Sequence, residues 1–432
     1  MSVFNRNEDD GVARGARGLV VCPDLGQNAR TVEARLNEAA GLAQAIGIEV
    51  FHTAFFKIRQ AKPATLFGKG QLQDLATQVQ AAEADLVIVD GSLTPVQQRN
   101  LETELKAKVI DRTGLILEIF GERAASAEGR LQVELAHLDY QAGRLVRSWT
   151  HLERQRGGFG FLGGPGETQI EADRRMIRDR MAKIRRELAE VTRTRGLHRA
   201  RRQRAPWPII ALVGYTNAGK STLFNSLTSA SVMAEDLLFA TLDPTMRHFS
   251  LPGLDKAILS DTVGFVSELP TQLVAAFRAT LEEVISADLI VHVRDIAHVD
   301  SAAQANDVIK VLRDIGAMRE DGAPVLEIWN KSDLLDSESL ERLQGEAARR
   351  DDVVLASALS GQGLDGLRQR ISDLVTSLHR LRHVSVSLAD GRALAWLHNH
   401  GVVTRETLVD DHFEMDVRLS DADYARFQAR AA

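Results

Sequence analysis

The chain contains one cysteine, Cys22, among 432 residues. No disulfide can close within it, so its stability has to come from packing, and a reducing compartment is expected. It also lacks any apolar run near the ~20 residues that a membrane helix requires. The start, Met1-Ser2-Val3-Phe4-Asn5-Arg6-Asn7-Glu8-Asp9-Asp10, has no apolar core of the kind a secretion signal carries. These absences argue against the disulfide-framework and membrane-spanning classes, and a cytoplasmic protein without a membrane span is the expectation. A large net charge is missing too, since 53 Lys+Arg against 59 Asp+Glu leaves −6. That balance hides an asymmetry: residues 141–204 carry 17 Lys/Arg and 7 Asp/Glu. A basic block in an otherwise acidic chain points to a polyanionic partner at that block.

What the chain does have is a phosphate loop. Gly214-Tyr215-Thr216-Asn217-Ala218-Gly219-Lys220-Ser221 follows the apolar run Ile209-Ile210-Ala211-Leu212-Val213 and leads into Thr222-Leu223-Phe224-Asn225. The spacing G-x-x-x-x-G-K-S lets the glycines take backbone angles other residues resist, turning successive N–H groups toward a bound phosphate. Lys220 is placed to meet the β- and γ-phosphates, and the Ser221 hydroxyl to ligate Mg²⁺. The competing reading, a glycine turn between a buried strand and a helix, explains the glycines but not the Lys-Ser pair that follows them.

Three further stretches refine this site, each at the end of an expected strand. Asp261-Thr262-Val263-Gly264 supplies an acid for the Mg²⁺ shell and a backbone N–H for the γ-phosphate. Asn330-Lys331-Ser332-Asp333 chooses the base, because an acceptor-only carboxylate can take both N1–H and N2–H₂ of guanine but would face the bare N1 of adenine. Ser357-Ala358-Leu359 offers a backbone amide to the guanine O6. Between the phosphate loop and the first acid lies Phe239-Ala240-Thr241-Leu242-Asp243-Pro244-Thr245, where Thr241 is the better of two threonines for closing over Mg²⁺. Strands expected at 209–213, 257–260, 289–293, 325–329 and 353–356, with helices between, make 205–380 a doubly wound P-loop domain.

The flanking regions have other periods. After a polar lead over 1–16 that is expected to be disordered, strands at 18–22, 48–52 and 85–90 alternate with helices at 31–46, 71–83 and 94–106, so 17–120 reads as a parallel α/β unit. Over 121–204, Leu131, Leu135, Leu138, Ala142, Leu145, Trp149 and Leu152 form one heptad stripe, and Ile177, Met181, Ile184, Leu188 and Val191 another. Two such helices around a glycine-rich segment predict an antiparallel coiled-coil hairpin with a first arm of roughly 30 Å. Its tip, Gly157-Gly158-Phe159-Gly160-Phe161-Leu162-Gly163-Gly164-Pro165-Gly166, carries aromatics that can stack on bases, with Arg154 and Arg156 on the approach and Arg174 and Arg175 on the return. A flexible turn would explain the glycines alone; rings and arginines together favour structured RNA. Residues 381–432 read as a small α+β domain.

These elements resemble the HflX family of ribosome-associated GTPases. The resemblance rests on Gly214–Thr222, Phe239–Thr245, Asp261-Thr262-Val263-Gly264-Phe265 and the glycine-rich tip. It implies a GTP-hydrolysing factor that associates with the large ribosomal subunit and its RNA and splits stalled or idle ribosomes; a monomer is expected. A maturation factor for ribosomal subunits, and a signalling GTPase with a protein effector, stay open as alternatives. Asn217 matches the loop asparagine of potassium-activated GTPases, which makes K⁺ a candidate second cation. Where small GTPases carry a glutamine after Asp-x-x-Gly, this chain has Phe265, which cannot orient water by hydrogen bonding. Slow hydrolysis in isolation, stimulated by the ribosome, is expected, and no catalytic base is assigned.

Overall fold

The computed structural model describes residues 15–26, 30–155, 165–202, 207–228, 245–267, 278–318 and 322–431. Strands β1 (Arg17–Asp24), β2 (Glu49–Lys57), β3 (Leu86–Val89) and β4 (Lys108–Asp111) form a parallel sheet in the order β2-β1-β3-β4. Helices α1 (Val32–Gln44), α2 (Lys69–Ala81) and α3 (Pro95–Leu105) make the crossovers. β3 is buried at every position and β1 at all but its ends, as parallel strands covered on both faces must be. Cys22 lies in β1 without solvent contact, and burial pushes its thiol up to about 12. The helix starts follow capping rules: Thr31 accepts from the Ala34 N–H, and Thr94 and Gln97 cap α3 reciprocally with Pro95 at its first turn.

Helix α4 (Arg112–Arg123) leads into α5 (Ala127–Gln155), and α6 (Pro165–Arg202) returns beside it. At 1.5 Å per residue the 29 residues of α5 span about 43 Å, longer than the heptads alone suggested. Arg180 of α6 grips Glu134 of α5 through two bonds of 2.6 and 2.9 Å, which fixes the antiparallel return. Met181 and Ile184 are buried as the stripe requires, whereas Leu131, Leu135 and Leu138 are only half-buried. The fully buried side chains at the base of α5 are Val133 and Ala136, which join the core beneath α1 and α4. The base of this arm therefore packs against the sheet unit as well as its partner helix, and the 4-3 spacing shows one of those two faces. Arg154 falls in the last turn of α5 and Arg174 and exposed Arg175 in α6; Arg156, Phe159 and Phe161 lie outside the described residues.

The central sheet has the order β10-β9-β8-β5-β7-β6, built from β5 (Ile209–Gly214), β6 (Thr245–Leu251), β7 (Leu254–Asp261), β8 (Leu289–Asp295), β9 (Val325–Asn330) and β10 (Val353–Leu355). All neighbours run parallel except β6, an edge strand that turns back on β7. Helices α7 (Lys220–Thr228), α8 (Arg278–Ile285), α9 (Ser301–Asp314), α10 (Ser337–Ala347) and α11 (Leu364–Leu378) connect the strands. β5 sits between β7 and β8, so the chain leaves it toward opposite edges of the sheet. The loop after β5 lies at that switch point, where doubly wound sheets open a crevice for ligands.

The last unit is an antiparallel sheet, β11 (His379–Ser387), β13 (His412–Ser420) and β12 (Val402–Val409) in that order. Helices α12 (Gly391–His400) and α13 (Asp421–Ala431) cover one face, around Val384, Val386, Trp396, Leu397, Met415, Val417 and Phe427. The uncovered face carries His383 with Glu414 and Asp416 opposite it. Among the described residues no helix is long and apolar enough to cross a membrane.

Candidate nucleotide site

The phosphate loop is shaped by what its glycines touch. Gly214 has φ +156°, and a Cβ there would stand 2.2 Å from the Val293 carbonyl oxygen of the neighbouring strand. Gly219, at φ +92°, would drive a Cβ to 2.2 Å from Asn330 Nδ2. That close approach has a purpose: Asn330 Nδ2 donates to the Ala218 carbonyl at 2.8 Å, and Asn330 Oδ1 accepts from the Ala358 N–H at 2.9 Å. One buried asparagine thus ties the phosphate loop to the base-side loop. Asn217 adopts φ +59° at the exposed crest of the turn, a conformation asparagine tolerates.

Lys220 and Ser221 open α7 under this loop. Lys220 is 6% exposed, and its Nζ donates to the Tyr215 carbonyl at 2.8 Å. Burial pushes its pKa down from 10.5 to about 8, against the pull of the Asp261 carboxylate. A confined cation of this kind gains most when an anion enters. The Ser221 hydroxyl donates to Asp261 Oδ2 at 2.8 Å, and Asp261 is fully buried at the end of β7. A hydroxyl and a carboxylate converging at that distance are hard oxygen donors that suit Mg²⁺. Thr241, the other expected ligand, lies with Phe239, Ala240, Leu242 and Asp243 outside the described residues.

The turn after Asp261 is bound to the phosphate loop by its backbone. The Thr216 N–H donates to the Phe265 carbonyl at 2.7 Å, and the Phe265 N–H to the Gly214 carbonyl at 3.1 Å. Thr262 anchors the start of the turn through a 2.6 Å bond from its hydroxyl to the Leu212 carbonyl, with Val263 buried behind it. Gly264 needs its missing side chain, since a Cβ would come within 2.8 Å of Thr216 Cγ2 and 3.1 Å of Lys220 Nζ. Phe265 is 3% exposed and belongs to the core. Its ring is directed away from water, consistent with its inability to activate one.

On the base side, the Ser357 hydroxyl donates to Asp333 Oδ1 and fixes one carboxylate oxygen, while Asp333 itself stays exposed. Ser332 is buried beneath it in a short helical turn. Lys331 takes φ +63° and pairs with Asp295 at 2.9 Å. Within the stretch expected to serve the guanine O6, the Ala358 amide donates to Asn330 Oδ1, and the Leu359 side chain is 81% exposed.

Sequence reasoning missed the surroundings of Tyr215. Its hydroxyl donates to Glu38 of α1 at 2.8 Å and accepts from the Ser267 N–H at 2.7 Å. Glu38 is also held by Arg30 and Arg112, and Arg112 reaches both Ser267 O (3.2 Å) and Oγ (3.0 Å). Arg30 extends the cluster to Ser267 Oγ at 3.0 Å and Asp300 at 3.1 Å. Burial alone would raise Glu38, but the guanidiniums of Arg112 and Arg30 outweigh it and hold the carboxyl below its ordinary value. No motif marks these residues, which come from α1, α4, the phosphate loop and the turn after Gly264. Their surroundings in the sequence give no signal, since Arg30 and Glu38 stand among other polar residues.

Four family models match in order: the GTP-binding GTPase N-terminal region over 33–121, the GTP-binding GTPase middle region over 123–202, the 50S ribosome-binding GTPase over 209–331 and the HflX C-terminal domain over 342–431. GTPase HflX of Magnetococcus marinus is 49% identical over 393 residues, 91% of this chain and 90% of that protein. GTPase HflX of Escherichia coli is 41% identical over 90% of this chain and 91% of its own length. A solved GTP-binding protein from Sulfolobus solfataricus, in complex with GDP, is 25% identical with a TM-score of 0.44, covering 84% of this chain and 99% of that one. The chain is a GTPase and belongs to the HflX family.

Proposed function

We propose that this GTPase is a ribosome factor that docks its helical hairpin on the RNA of the large subunit and uses GTP to separate stalled or idle ribosomes. The observation that carries the reading is the joining of a guanine-selective P-loop site to a long hairpin in the basic 141–204 block, with 17 Lys/Arg against 7 Asp/Glu. A match to the model described as a 50S ribosome-binding GTPase supports the same target. In this reading 17–120 and 121–204 form the platform and the hairpin, 205–380 is the switch and 381–432 an accessory module, while the lead over 1–14 lies outside the described residues. Arg154, Arg156, Phe159, Phe161, Arg174 and Arg175 would meet RNA, the arginines at phosphates and the rings on bases.

The nucleotide chemistry divides among the residues already described. The backbone of Gly214–Gly219 cradles the phosphates, Lys220 neutralises them, the Gly264 N–H meets the γ-phosphate, and Asp333 selects guanine. Ser221 would hold Mg²⁺, joined in the triphosphate state by Thr241 and with Asp261 behind them, and the ion would supply positive charge against the phosphates. Asn217, at the crest of the loop, is where K⁺ would be recruited. With Phe265 in the core, the chain lacks a side chain in the usual place to orient the attacking water, so the ribosome is the expected source of that ordering.

Sedimentation of ribosomes through sucrose with the protein and a non-hydrolysable GTP analogue tests the proposal. Loss of the intact particle and co-migration with free large subunits is expected. Intact particles with the protein left at the top of the gradient would reject it, and co-migration only with precursor subunits would favour a maturation role. Single-turnover GTP hydrolysis should be faster with ribosomes than without; equal rates would remove the stimulation.

A further inference from the structure

The carboxyl ends of β3 and β4 carry Asp90 and Asp111, at the edge where open α/β sheets usually take a ligand. Here that edge is occupied by the chain itself. Asp90 accepts from Arg35 at 3.1 Å and from Arg112 at 2.6 Å, and Arg112 goes on to Glu38 and Ser267. The adjacent Asp111 faces the hairpin: its carboxylate accepts from the Tyr140 hydroxyl at 2.6 Å and from Arg144 at 2.8 Å, both on α5, while capping Gly114 at 2.8 Å. Two consecutive residues thus hold different parts of the molecule, Asp111 the hairpin arm and Arg112 the turn after Gly264.

We infer that Asp111-Arg112 is a relay through which the position of the hairpin arm sets the relative affinity of this site for GTP and GDP. The discrimination between the two nucleotides follows from the geometry. Ser267 is gripped at its N–H, its carbonyl and its hydroxyl by Tyr215, Arg112 and Arg30, and the side chains of Glu38, Arg30 and Arg112 are each only 7% exposed. That grip keeps the Gly264 turn against Lys220, where even a Cβ would come within 3.1 Å of Nζ. The Gly264 N–H is the group that meets the γ-phosphate, which GTP carries and GDP lacks, so how firmly the cluster holds that turn bears on GTP and not on GDP. Anything that shifts Arg112 through Asp111 therefore changes the affinity for GTP relative to GDP. By reciprocity, GTP changes the hold on α5. The relay rests on the GTPase activity and not on the identity of the hairpin's target, so it is tested without ribosomes.

The experiment measures GTP and GDP dissociation constants of the full chain with fluorescent nucleotides. Ser267→Ala, which removes two accepted bonds without leaving a buried charge, is expected to change the preference for GTP over GDP about tenfold with GDP affinity unchanged. Glu38→Gln should act in the same sense. Tyr140→Phe, on the hairpin arm and far in sequence from the pocket, should move the ratio about threefold in the same direction. Ser267→Ala combined with Tyr140→Phe should fall short of the product of the two. A ratio unmoved by Ser267→Ala, equal weakening of both nucleotides, an inert Tyr140→Phe, or fully multiplicative effects would each overturn the relay.

Discussion

Two polar constellations meet at Tyr215 and are built on opposite principles. In the nucleotide pocket the polar groups hold exchangeable partners: Lys220 rests on a backbone carbonyl, Ser221 on Asp261, and Asp333 on a single hydroxyl. Each of these bonds can be handed to a ligand at little cost, because a phosphate, a cation or a base replaces it with something stronger. Across the interface, Glu38, Arg30, Arg112 and Asp90 satisfy one another with ionised partners away from water. Nothing small can take the place of a buried guanidinium there. A site that trades partners binds; a cluster that keeps them fixes position.

The largest expected effect breaks the second constellation. Glu38→Ala strands two buried guanidiniums, and loss of one partner from such a cluster costs about 3–5 kcal/mol; chemical denaturation should show the transition at markedly lower denaturant, with Glu38→Gln falling between. Next comes the pocket. Asp333→Asn removes a charged acceptor and should weaken GTP by about tenfold to a hundredfold, the equivalent of 1.5–3 kcal/mol. Xanthosine triphosphate should recover part of that loss, since the asparagine amide can donate to the oxygen that replaces the guanine amine; titration with both nucleotides decides it. The comparison is sharpened by a pair outside both sites. Arg180→Ala breaks a bidentate bond to Glu134 in which the arginine is 42% exposed, and should cost less than about 1 kcal/mol by the same denaturation assay.

The smallest effect is on the open sheet face of the last unit. His383 is held above its ordinary pKa by its hydrogen bond to Asp416, with Glu414 adding to it. A group whose folded pKa is raised contributes stability that is fully present below 6.5 and is lost as pH rises through the folded value. An NMR titration should find that folded value above 6.5 and see it fall in Asp416→Asn; an unshifted wild-type histidine would refute the pairing.

The pocket was legible because its constraints are local. Gly214, Gly219, Lys220 and Ser221 are fixed by one loop, and Asp261, Asn330 and Asp333 each sit at a strand end that apolar runs announce. Strands such as β3 and β5 could be read from unbroken apolar runs, but β6 could not. Thr245-Met246-Arg247-His248-Phe249 buries only Phe249, because an edge strand shows water one face, and the same holds for β12. Helix α4 was missed for the opposite reason: buried over most of its length, it lacks the polar face that marks a helix. The interface cluster was invisible altogether. Glu38 and Ser267 stand 229 positions apart, and only the folded chain brings them to one arginine.

Cys22 gives this molecule an experimental convenience. As the lone thiol, sealed in β1 and pushed up to about 12 by burial, it offers almost no thiolate to maleimide chemistry at neutral pH. Paired reporter dyes or spin labels can therefore be installed at introduced surface cysteines, one on the α5 arm and one on α10, without first stripping the native sulfur from the protein. Distance changes between the arm and the guanine-binding half could then be followed in real time as nucleotide is exchanged.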